Sequence, residues 1–161
     1  MSGGVRLGGR IRVWTLSFGC IARAHKILAT WDHAILLGVN PRVAGFDHIQ
    51  IAAPEGCESA ARHFYGTLLG MKEIEKPPIL RTRGGCWFEC GSQQLHVGVE
   101  RNFQAAGKAH PAFAVFDLSA LRETLSAQGV PVVDDDNLPG TRRFYAEDPW
   151  GNRLEFVEIS K

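Results

Sequence analysis

The strongest constraint on this chain is that one order of elements, a strand, a helix and three further strands, is legible in it twice. In the first copy, Phe46 to Ala52 alternates, with Ile49 and Ile51 on one face and His48 and Gln50 on the other, the period of a half-buried strand. A Pro54-Glu55-Gly56 turn leads into Ala60, Ala61, Phe64, Tyr65, Leu68 and Leu69 at helical spacing, and Gly70 supplies the stop. Met71 to Glu75 predicts a short strand and Pro77-Pro78 an interruption. Cys86 to Cys90 predicts a strand between glycines, and Gln94 to Val99 a last one, with Leu95, Val97 and Val99 on one face and His96 on the other.

The second copy follows the same plan. His110 opens a strand over residues 111–116, with Phe113 and Val115 on one face. A helix with Leu118, Leu121 and Leu125 on one side ends at Gly129. Strands are predicted over Val130 to Val133, Arg142 to Ala146 and Arg153 to Glu158. Asp148-Pro149-Trp150-Gly151-Asn152 makes a tight turn ahead of the last strand, because Pro149 presets φ and Gly151 accepts φ above zero. In that strand Leu154 and Phe156 can cover a core while Glu155 points the opposite way. The predicted domain is α+β, with module one over residues 46–99 and module two over residues 110–158.

Charge separates this body from what precedes it. Residues 1–44 carry six Lys or Arg and a single acid, Asp32, whereas the remainder is mildly acidic. We read 1–44 as an extension outside the core, with an amphipathic helix from about Ile21 to Leu37, and Gly38 to Gly45 as a linker into a single domain over 45–161. An acidic body without a basic stripe gives no reason to expect nucleic-acid binding, and no apolar run approaches a membrane span. The four cysteines lack CxxC spacing and read as reduced thiols of a cytoplasmic protein.

Against this repeat, four side chains stand out. His48 and His110 open their modules, and His96 and Glu155 occupy the last strands, each facing away from the apolar side of its own strand. Imidazole nitrogens and a carboxylate on rigid strands are a donor set for one divalent transition metal ion with positions left for substrate. His63 falls within an amphipathic helix and His25 and His33 within the extension, so these three read as structural. Arg143 and Tyr145, of one parity on the penultimate strand, and Arg101 in the loop before His110 are candidate substrate contacts.

The sequence resembles the vicinal oxygen chelate superfamily, which includes glyoxalase I, fosfomycin-resistance thiol transferases, extradiol dioxygenases, methylmalonyl-CoA epimerase and bleomycin-binding proteins. The resemblance is carried by Phe46-Asp47-His48-Ile49, by Phe64-Tyr65-Gly66-Thr67-Leu68-Leu69-Gly70-Met71 and by Asp148-Pro149-Trp150-Gly151-Asn152-Arg153-Leu154-Glu155. It implies two βαβββ modules forming an open, curved mixed β-barrel with helices outside, around a metal held at the first and last strands of each module. Those places fall on His48, His96, His110 and Glu155.

The implied activity is that of a divalent-metal-dependent lyase or isomerase of the lactoylglutathione lyase type. In it one Zn, Ni, Mn, Fe or Co ion chelates vicinal oxygens of a small substrate, with Glu155 as general base, in a homodimer. One departure matters: glyoxalase I carries a carboxylate where this chain has His96. Thiol transferases and dioxygenases use two His and one Glu, matching His48, His110 and Glu155. A fosfomycin-type transferase and a single-domain extradiol dioxygenase are therefore the alternatives, and a metal-free bleomycin-like binding protein is the alternative of another class.

Overall fold

The structure, a computed structural model, describes residues 42–159. The expectations for the extension, its amphipathic helix and Cys20 lie outside the described residues, apart from 42–44. Each module lays down a strand, a helix and three strands. The first has β1 (His48–Ala53), α1 (Glu58–Ala61) continuing into a π-helical stretch (Arg62–Leu68), β2 (Glu73–Ile74), β3 (Cys86–Cys90) and β4 (Gln93–Val99), with one added helical turn, α2 (Pro78–Arg81). The second has β5 (Ala112–Val115), α3 (Leu118–Ala127), β6 (Val132–Asp134), β7 (Arg143–Glu147) and β8 (Arg153–Glu158). The result is α+β, with two four-stranded mixed sheets of matching order, β1-β4-β3-β2 and β5-β8-β7-β6.

In both sheets the last strand in sequence is one of the two inner ones. β4 runs parallel to β1 and antiparallel to β3, and β8 runs parallel to β5 and antiparallel to β7. His96 and Glu155 therefore sit at equivalent central positions, flanked across the strands by Trp87 and Tyr145 respectively. The helix-side face of each sheet is apolar. Phe88, Leu95 and Val97 are buried in the first, and Phe113, Phe144, Leu154 and Phe156 in the second. Burying each such side chain is worth about 1.5–3 kcal/mol, and this is what sets strand register.

Three details depart from the sequence reading. Past Ala61 the first helix widens to π, so adjacent Phe64 and Tyr65 can both be buried. Pro77-Pro78, expected only to interrupt, starts a helical turn, which suits a proline that has no N–H to lose at a first turn. Ile49 is 36% exposed, because β1 is an outer strand whose first half is uncovered.

The Asp148 turn fastens the two modules. Asp148 Oδ1 accepts from the backbone N–H groups of Trp150 and Asn152 at 3.0 and 2.9 Å. Its Oδ2 accepts from the Tyr65 hydroxyl of module one at 2.8 Å, and Asn152 Nδ2 donates to the Ala52 carbonyl at the end of β1 at 2.8 Å. Burial, reinforced by the Asp148 charge, pushes the Tyr65 phenol far above its usual range, so it stays a donor at all ordinary pH. Within module one, Gly85 (φ +77°) lies so close to β4 that a Cβ would come 2.1 Å from the Val97 carbonyl oxygen, which admits only glycine. Its N–H donates to Glu58 Oε1 at 2.7 Å and ties the helix start to the sheet.

Candidate functional site

On module one the candidate side chains are held by ring faces. His96 projects from the side of β4 opposite Leu95 and Val97, yet it is only 6% exposed, because Trp87 and His48 sandwich it. The Trp87 and His96 rings lie 3.9 Å apart at 4°, and His48 stacks on the other face at 4.2 Å and 19°. Burial, and after it the neighbouring His48, push the His96 imidazole below its usual range, so it is neutral at pH 7. Its Nε2 lies 2.9 Å from Gln94 Oε1. His48 places Nδ1 3.0 Å from Asp47 Oδ1, which leaves Nε2 outside that contact.

On module two the equivalent residues are held by charge. Glu155 takes Arg143 Nη1 on Oε1 at 2.8 Å and faces His110 Nε2 across 3.0 Å with Oε2. Arg143 is fixed in turn by Asp135 Oδ2 at 3.2 Å. Burial alone raises the Glu155 pKa, but the hydrogen bonds from Arg143 and His110 outweigh it and hold the carboxyl below its usual range. His110 donates Nδ1–H to the Lys108 carbonyl at 2.8 Å. With Nδ1 so committed, Nε2 faces a second acceptor, and a cation between them, either a ring proton or a shared metal ion, accounts for the 3.0 Å approach. In a metal-binding histidine one ring N–H is given to a carbonyl or carboxylate while the other nitrogen faces the ion, and His110, with Nδ1–H on the Lys108 carbonyl, has the first half of that arrangement. The donor set therefore fits a divalent ion. Among the described residues, however, no three His, Cys, Asp or Glu side chains converge to hold one, and the two pairs stay on their own sheets.

A profile of the Glyoxalase/Bleomycin resistance protein/Dioxygenase superfamily matches residues 45–156, most of the chain and all four candidate ligands. The chain belongs to that superfamily. It is 51% identical to a protein from Bacillus anthracis described as of the glyoxalase family, over 76% of this chain and all of that one, with a TM-score of 0.73. A lactoylglutathione lyase from Agrobacterium tumefaciens shares the fold at 22% identity, covering 73% of this chain and 96% of that one with a TM-score of 0.58. A glyoxalase family protein from Enterococcus faecalis does so at 24%, covering 71% and 97%, also at 0.58. No curated protein matches significantly.

The other expected contacts of this superfamily member separate. Tyr145 stands edge-on to the His110 ring at 5.5 Å, and Arg143 joins the same cluster through Glu155. Arg101 instead faces Glu55, with Nε at 3.5 Å, and is largely exposed. Reasoning from sequence missed Trp87, Gln94, Asp135 and Arg153. A signal existed for three of them: Gln94 and Arg153 share the parity of His96 and Glu155, and Trp87 has the parity opposite to core Phe88. The described cysteines, Cys57, Cys86 and Cys90, are free. Burial pushes the Cys86 thiol up to about 11, which makes it a packing group rather than a nucleophile. Among the described residues no helix is long and apolar enough to cross a membrane.

Proposed function

We propose that this protein is a divalent-metal-dependent enzyme of the glyoxalase type, acting on a small substrate with vicinal oxygens. The observation that carries this is the His110–Glu155 pair, with Nδ1 committed to a carbonyl and Nε2 turned to a carboxylate 3.0 Å away. His48, His96, His110 and Glu155 are the residues that would hold the ion, which when bound supplies Lewis-acid charge to oxygens next to the reacting carbon. Glu155 is the general base. Its lowered pKa keeps it ionised, Arg143 on Oε1 fixes its plane, and the carboxylate takes the proton of an acidic C–H and returns it to the neighbouring carbon, so the step is an isomerisation. Trp87 and Tyr145 wall the two pairs.

The pairs lie on separate sheets, and a second copy of the chain, setting its module two against this module one, would complete the four-residue set. The proposed assembly is therefore a homodimer. The three-ring stack favours a second reading, in which His96 props His48 and the set is two His and one Glu, as in a thiol transferase or dioxygenase.

Elemental analysis of protein purified without an affinity tag is expected to give one divalent ion per ligand set. Light scattering is expected to give a dimer, and Mn, Fe, Co, Ni or Zn to raise Tm. At a hundredfold excess over Kd that stabilisation is about 2.7 kcal/mol. A screen of hemithioacetals, fosfomycin with thiols, and catechols then assigns the reaction. Protein that neither carries metal nor is stabilised by it would sink this proposal in favour of a metal-free binding protein.

A further inference from the structure

Beside the Glu155 pair, the same face of the second sheet carries a groove of about 460 Å³ lined by Gly107, Pro131, Val133, Tyr145, Glu147 and Arg153. That volume suits a small molecule. Arg153 lies in it with its guanidinium 3.9 Å from the Tyr145 ring centroid, and among the described residues it forms no ion pair or hydrogen bond. Two acids are within its strand neighbourhood, and neither holds it. Glu155, two residues on, is taken by Arg143, and Glu147, directly across on β7, stands exposed at the rim. In module one the residue at the same register position is Gln94, which is spent on His96. Module two thus keeps a planar cation on an aromatic platform, its donors open to the groove and apolar walls at Pro131 and Val133.

We propose that this groove binds the anionic end of the substrate, a carboxylate or phosphate on a short apolar stem, with Arg153 as the residue that selects for it. Tyr145 links the two places, since its ring lies under Arg153 and its edge meets His110, so a ligand anchored there presents its other end to Glu155. The assignment of that other end rests on the proposed metal-dependent site. The groove itself does not.

The test uses metal-free, full-length protein titrated with phenyl phosphate, phenylacetate and neutral benzyl alcohol, followed by NMR at the Arg153 Nε–H and the Tyr145 ring. Either anion or both should saturate, weakening as salt rises, while benzyl alcohol should not; which anion binds tighter identifies the substrate end. Arg153→Gln should weaken the anion at least about tenfold, the loss of a charged hydrogen bond. Glu147→Gln should tighten it about twofold by removing a rim charge. Should Arg153→Gln not fold, Arg153→Lys, which keeps the charge but not the two-point fork, and Glu147→Gln carry the test. Equal binding of benzyl alcohol, unchanged affinity in Arg153→Gln, or weaker binding in Glu147→Gln overturns the proposal. Metal titrated into the same samples keeps the two readings apart. Metal binding without anion binding removes the groove alone, and anion binding without metal removes the metal centre and leaves the groove.

Discussion

The two modules answer one geometric demand with different chemistry. At the central position of its sheet, module one presents a neutral imidazole and module two a carboxylate, and the residue directly across is aromatic in both, Trp87 and Tyr145. An imidazole has a face, so Trp87 lies flat against His96 at 3.9 Å. A carboxylate offers no such face and cannot be buried without compensating charge, so Glu155 is held by Arg143 and His110, and the tyrosine ring takes Arg153 at 3.9 Å with Arg143 farther off at 5.7 Å. A repeated fold thus fixes where a side chain stands, while the chemistry at that point decides which neighbours are used up and which stay open to a ligand.

Removing one imidazole from each half should have the largest effect. If the halves contribute equally to one ion, His96→Ala should cost metal affinity about as much as His110→Ala, on the order of a hundredfold each, read by competition titration with a chelator. Full occupancy in His96→Ala beside loss in His110→Ala would make the first module's stack a prop and leave the set of two His and one Glu.

The strand alternation, read from sequence, put His96 and Glu155 on the faces away from the helices, because Leu95, Val97, Leu154 and Phe156 leave only one direction for the residues between them, whereas His48 stands at the start of β1 and His110 two residues ahead of β5, with no such pair around them. What alternation does not carry is the neighbour across the strand. Arg143 was expected to meet substrate, and the structure commits two of its nitrogens to Glu155 and Asp135. That choice depends on a loop placing Asp135 and on a side-chain rotamer, neither of which leaves a periodic trace. Asp148 was legible as a turn residue from its Pro149 and Gly151 neighbours, but its second oxygen serves Tyr65, 83 residues away. The π-helical widening at Arg62–Leu68 that accompanies the burial of Tyr65 likewise follows from tertiary packing, not from helical spacing.

Of intermediate size is the effect of the stack itself. Trp87→Leu removes a ring contact worth about 1 kcal/mol and frees the His96 plane, so Tm should fall by several degrees and metal affinity about tenfold. Tyr145→Leu, its counterpart, should leave metal affinity within about threefold, because the Glu155 carboxylate keeps Arg143 and His110, and should instead weaken the anion at Arg153. Equal metal losses in the two variants would show that the rings act alike and that the contrast between modules is only apparent.

The smallest effect concerns how each helix start is tied down. Helix α3 is capped locally, the Asp117 side chain accepting from the Ala120 N–H at 2.9 Å. Helix α1 has no side-chain cap, and its Glu58 reaches instead to the Gly85 N–H across the module. That backbone hydrogen bond, the largest cause, holds the Glu58 carboxyl below its usual range. A lowered folded-state pKa means the contribution is fully present above the ordinary carboxylate range and fades as pH falls through the lower folded value. Glu58→Gln should therefore cost at most about 1 kcal/mol at pH 7, since the group is partly exposed, and nothing once the wild-type carboxyl is protonated in both states. Urea unfolding of both proteins from pH 7 to pH 3 measures it: the curves should converge toward the acid end. A gap that persists unchanged at pH 3 would mean that Glu58 acts through packing.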